Sequence, residues 1–135
     1  MTKRKLRVAV LMHAHLAPPA SVEGLTEKEL NDIKQEMDVC TTLAALGHEV
    51  VHVPVVDELA PIRRVLKERK PHLAFNLLTH FHDAGIYDSA VVSWLELMKQ
   101  FYTGCNPRGL LAANDKALFK KVLAYHRIRA PRFFV

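Results

Sequence analysis

Cysteine and glycine are both scarce in this chain. Its 135 residues include two cysteines, Cys40 and Cys105, and five glycines. Two cysteines so far apart form neither a C-x-x-C metal pair nor a disulfide framework, which suits a reducing, cytoplasmic setting. With so few glycines there is no G-x-x-x-x-G-K-(S/T) and no G-x-G-x-x-G, so neither familiar phosphate loop is present. Long apolar runs are missing too. None approaches the ~20 residues that cross a bilayer, and no membrane partner is expected. The run Leu6 to Met12 is interrupted by Arg7 and lacks a small-residue cleavage pattern, so it does not read as a signal peptide. The formal charge is +5, yet no aromatic stacking platform or recognised nucleic-acid motif accompanies it, and nucleic acid is not an expected partner. Ser21, Ser89 and Ser93 lie outside any nucleophile-elbow context, which leaves no readable Ser-His-Asp set.

What the chain has is alternation. Leu6 to Met12 is nearly all apolar, the mark of a strand covered on both faces. Thr26 and Glu29 form a capping box that opens a helix, whose stripe Leu30, Ile33, Met37, Cys40 and Ala44 leads to a stop at Gly47. Glu49 to Val56 reads as a second strand, with Pro54 marking an edge or an end. Asp57 caps a helix to about Lys70, His72 to Leu78 is a third strand, and Tyr87 to Gln100 a third helix. Phe101 to Thr103 is a short strand, followed by a loop punctuated by Gly104, Asn106, Pro107 and Gly109. Asn114 then caps a last helix, and Arg132 to Val135 begins another apolar strand. Such β-α alternation predicts one α/β unit over residues 1–135, with a mostly parallel sheet and helices on both faces. Its ligand belongs at the carboxyl ends of the strands. Val91, Val92, Trp94, Leu95, Leu97 and Met98 on the third helix read as core, with a homodimer surface as the alternative.

That edge gathers His13 and His15 after the first strand and Thr79, His80, His82, Asp83 and Asp88 after the third, with Glu23 the nearest acid in the first loop. Two H-x-H pairs beside carboxylates could ligate zinc. Without a helical H-x-x-x-H or a cysteine pair, no metal ligand is assigned, and a metal-dependent enzyme is kept only as an alternative. A phosphorylated receiver domain shares the alternation but needs acids after strand one and an aspartate ending strand three, where this chain has Met12-His13 and Asn76. Lys116 stands out on the last helix. A cation in a first helical turn opposes the dipole by roughly 0.3–1 kcal/mol, so Lys116 is either part of a solvated face with Lys120 and Lys121 or offset by an anion such as phosphate.

A-F-N-L-L (Ala74 to Leu78), L-E-L (Leu95 to Leu97), Y-T-G (Tyr102 to Gly104) and N-D-K-A-L-F-K-K (Asn114 to Lys121), in that order and spacing, resemble the N-terminal region of the D-alanine:D-alanine ligase family of ATP-grasp enzymes. The resemblance spans about Pro71 to Phe134. It implies a Rossmann-like, three-layer pre-ATP-grasp domain belonging to an ATP-dependent carboxylate–amine ligase, with ATP-grasp lobes after residue 135. ATP and magnesium are the implied cofactors of such an enzyme, and neither is expected to bind tightly to this domain alone. The implied partners are an amino acid or small peptide, the following lobes and, as in many family members, a second copy. Lys116 inherits the lysine that lies at the nucleotide phosphates. No catalytic residue is assigned within the chain, and the isolated domain is expected to be inactive. His13, His15, Glu23, Thr79, His80 and His82 are the substrate-side candidates, although the family's glycine-rich loop and histidine-glycine pair are replaced here by H-A-H-L-A-P-P-A-S-V-E-G-L and Thr79-His80. A stand-alone small-ligand binding or interaction module is the alternative.

Overall fold

The computed structural model describes residues 4–132 and 134. Strand β1 (Arg7–His13) lies between β2 (Glu49–Val55) and β3 (Leu73–Asn76), and both neighbours run parallel to it in the order β2-β1-β3. Every residue of β1 from Val8 to His13 is buried. Because successive side chains point to opposite faces, Val8, Val10 and Met12 enter one core, and Ala9 and Leu11 the other. The first core is closed by Cys40, with Val39 and Leu43 packed against it. The second is closed by Ile62, Val91 and Leu95 from two further helices. A continuous apolar strand thus becomes the middle layer of an α/β sandwich, as its sequence predicts.

The helices refine the expectation in several places. The Thr26–Glu29 capping box is present, but it starts only a short helix, α1 (Glu27–Asp32), and Ile33 breaks the geometry before α2 (Lys34–Ala45). That break shifts the phase of the buried stripe. Ile33, Glu36 and Cys40 face inward, Leu30 and Met37 are half-buried, and Ala44 is exposed. Asp57 does not cap α3 (Ala60–Arg69); Leu59 occupies that position and packs against the core, with Pro61 in the first turn. Pro has no N–H to lose there, and the Ala60-Pro61 start is the signal that an Asp57 cap overlooks. Pro54 is exposed on edge strand β2, where its missing donor costs no ladder bond.

After α4 (Asp88–Leu97) the expected fourth strand is reduced to a single parallel bridge, Ala74 to Tyr102. The stretch read as a loop contains a helix, α5 (Pro107–Asn114), capped by the Asn106 side chain accepting from Gly109 N at 2.9 Å. A Cβ at Gly109 would stand 2.1 Å from Cys105 Sγ, so any larger residue here would need that exposed side chain to turn away. Asn114 is therefore the last residue of α5 and not a cap. Asp115 caps α6 (Lys116–Tyr125), its carboxylate accepting from Leu118 N at 2.8 Å. Arg132 is not in a strand, and Phe133 and Val135 of the expected terminal strand lie outside the described residues. Val91, Val92 and Leu95 of α4 are core, whereas Leu97 and Met98 are exposed. No helix among the described residues is long and apolar enough to cross a membrane.

Candidate functional site

The chain steps from β1 to β2 on one side of the sheet and then back across to β3, with α2 on one face and α3 on the other. Strand order therefore reverses at β1, and open α/β sheets bind ligands at such a point, outside the carboxyl ends of the strands. His13 is the last residue of β1 and is only 4% exposed. Across the reversal, the backbone N–H of Thr79 donates to His13 Nε2 at 3.2 Å. The Thr79 hydroxyl lies 3.4 Å from the same nitrogen and 3.2 Å from Nδ1 of His80. The His80 ring stacks on His13 with centroids 3.8 Å apart, and His15 stacks at 5.6 Å. Burial, then His80, then His15 hold the His13 imidazole below its usual proton affinity.

Beside this stack is a cavity of about 320 Å³, lined by His13, His15, His80 and His82, with Asp57 and Asp83 among its other walls. His82 and Asp83 reach it from a tight turn. Phe81 and Ala84 exchange two backbone hydrogen bonds, and both central residues have positive φ, 51° and 54°. Paired left-handed central residues define a type I′ hairpin turn, in which Asp is well tolerated. Thus four of the six substrate-side candidates share one cavity, and Thr79 supports it from behind through His13 Nε2. Glu23 is not brought there. It is exposed in the β1–α1 loop, and its own N–H is taken by Ser21 Oγ at 3.2 Å. Facing rings do not aim their nitrogens at a common point as zinc requires, and no group of three or more His, Cys, Asp or Glu among the described residues is arranged to hold a metal.

Lys116 lies elsewhere on the same edge. It is the first residue of α6, exposed, and lines an open groove with Gly85, Ile86, Leu111, Asn114 and Leu118. Gly85 belongs to the 3-10 turn Gly85–Tyr87 that follows the His82-Asp83 hairpin. Asn114 ties the two together, its Nδ2 donating to Gly85 O at 3.3 Å and to Asp88 Oδ1 at 3.1 Å. The end of α5, two residues before Lys116, is thus pinned to the segment that follows the cavity's hairpin turn.

No protein-family model matches the chain. Among curated proteins, the D-alanine--D-alanine ligase of Desulforudis audaxviator is 31% identical over 110 residues, 82% of this chain and 34% of that ligase. The D-alanine--D-alanine ligase of Moorella thermoacetica is 30% identical over 128 residues, 95% of this chain and 36% of that ligase. The chain belongs to the D-alanine:D-alanine ligase-like ATP-grasp family, as its N-terminal, pre-ATP-grasp domain. A crystal structure of the D-alanine--D-alanine ligase from Bacillus anthracis complexed with ATP shares the fold, with a TM-score of 0.68 over 96% of this domain and 38% of that chain at 22% identity. The domain spans about a third of the length of the curated relatives it matches.

Two features of the site go beyond the residues singled out in the sequence. Asp57 turns from a helix cap into a cavity wall, because the chain leaves β2 and does not enter α3 until Ala60. Asn114 becomes a tether instead of a cap. Asp-Lys after an apolar turn signals the α6 start, but nothing local reveals that the preceding Asn reaches across to Gly85 and Asp88.

Proposed function

We propose that this chain is the substrate-side domain of an ATP-dependent carboxylate–amine ligase and is inactive without ATP-grasp lobes. The observation that carries the reading is the position of Lys116 at the ligand edge, in the first turn of α6 and beside the groove of Gly85 and Asn114. There the Asp115 carboxylate already caps the α6 N-terminus and lines the groove, so the Lys116 ammonium beside it is the group offered to phosphate oxygens. ATP fits this donor set as the phosphoryl donor, with magnesium, in activating an amino-acid or small-peptide carboxylate for attack by a second amine. Within that reaction the domain's part is to orient: Lys116 holds phosphate, and the His13 cavity holds the carboxylate-bearing substrate. The setting is cytoplasmic. Self-association would use the exposed Leu97 and Met98, since Val91, Val92 and Leu95 are taken up by the core.

With ATP, magnesium and D-alanine, the isolated chain should release no phosphate. Followed by ATP-grasp lobes after residue 135, it should do so, and Lys116→Ala should then lower kcat/KM by on the order of 10², the scale for removing one donor to developing charge. Turnover by the chain alone, or a ligase indifferent to Lys116→Ala, overturns the reading.

A further inference from the structure

The loop after β3 fixes the tautomer of a buried imidazole. An N–H can only donate, so Thr79 N, 3.2 Å from His13 Nε2, requires that nitrogen to present its lone pair. The neutral ring then carries its proton on Nδ1. Protonating His13 would set two N–H groups head to head at Nε2, in addition to charging a ring that is 4% exposed and stacked between His80 and His15. Each of these effects favours the neutral form, in keeping with the lowered proton affinity of the group. Nδ1–H has no partner among the described residues, and Nδ1 is not among the buried side-chain atoms sealed from solvent without a hydrogen-bond partner. His13 lines the cavity, whereas Thr79, the partner of the opposite nitrogen, does not. Nδ1 is therefore the ring nitrogen left available to a ligand in the cavity.

Resting on the substrate-side reading of this cavity, we propose that His13 orients the ligand by donating a hydrogen bond from Nδ1–H of a neutral imidazole to an oxygen of a small carboxylate-bearing molecule. A neutral donor is suited to a carboxylate that must go on to react, because it fixes the oxygen without cancelling the negative charge that makes it nucleophilic. Imidazoles held neutral for this kind of work are an established device. The other titratable walls are His15, His80, His82, Asp57 and Asp83. The two carboxylates, Asp57 and Asp83, disfavour a bare anion and favour a ligand that carries an ammonium group beside its carboxylate.

The test uses the chain as it stands, with ¹⁵N-labelled imidazoles read by NMR and D-alanine and acetate as probes near neutral pH. His13 should show the Nδ1–H tautomer, and its signals should shift on adding D-alanine, less so with acetate. His13→Asn places an amide N–H near the former Nδ1 and should bind D-alanine within about threefold of the parent. His13→Gln and His13→Phe should lose about tenfold or more, the loss of one hydrogen bond; His13→Gln keeps the comparison open should His13→Phe fail to fold. An Nε2–H tautomer, equal affinity in all the variants, or no response of His13 to either probe overturns the proposal. The ligase reading is decided separately at Lys116, so either result can fail while the other holds.

Discussion

The sheet body and the α5–α6 pair are both rich in apolar residues, and they treat them in opposite ways. In β1, six consecutive residues are buried, and two helix layers compete for alternate side chains. In α6, Leu118, Phe119, Val122 and Tyr125 recur at helical spacing, yet none is buried, and Tyr125 is 83% exposed. The body thus holds its shape through its own contacts, whereas α6 leans on α5, and α5 on α4 and the 3-10 turn. Periodicity tells which face of a helix is apolar. It does not tell what covers that face, and here the element bearing Lys116 has no buried residue.

The sharpest way to break this contrast is at its strong end. Leu11 is fully buried at the centre of the sheet, touching the core that α3 and α4 close. Leu11→Ala should cost about 2–5 kcal/mol in urea unfolding, because transfer energy is lost and a cavity is left in a site that packed helices keep from collapsing. A loss under about 1 kcal/mol would mean that the body is no better packed than the extension, and the contrast would fail.

How much of this was legible depends on whether the deciding contact is local. The burial of β1 follows from an unbroken apolar run, and the Thr26–Glu29 box from a four-residue pattern that closes on itself. The edge histidines were legible as a set, because strand alternation alone brings the ends of β1 and β3 together. Their stacking was not, nor was Asp57 as a wall, since both depend on which loop crosses which. The α5 helix was hidden for a different reason: Asn106, Pro107 and Gly109 punctuate loops, but Asn followed by Pro is also a helix start, and local sequence does not choose between the two. At Asn114-Asp115 either residue can cap. Asp115 does so because the Asn114 amide is drawn to Gly85 and Asp88, across 29 and 26 residues of sequence.

That tether is the next place to press. Asn114→Ala removes two hydrogen bonds from a partly exposed site and should cost about 0.5–1.5 kcal/mol. The loss should be local. Hydrogen exchange should quicken over residues 85–88 and 107–125 while β1 keeps its protection, because opening α5–α6 takes nothing from either core. Equal loss of protection in β1 would show that the extension and the body unfold as one unit.

The smallest effect belongs to the exposed face of α6. Phe and Ser have similar intrinsic helix propensities, so Phe119→Ser isolates burial from helix formation. Phe119 is 44% exposed, and in the isolated chain the substitution should change stability by no more than about 0.5 kcal/mol, as surface replacements do. Full burial of such a side chain would be worth about 1.5–3 kcal/mol, which makes the two cases separable by denaturation. A loss in the upper range would place a partner for α6 within this chain and remove the asymmetry between its two regions. A near-zero loss here, with a large one once ATP-grasp lobes follow residue 135, would identify those lobes as what covers the helix that bears Lys116.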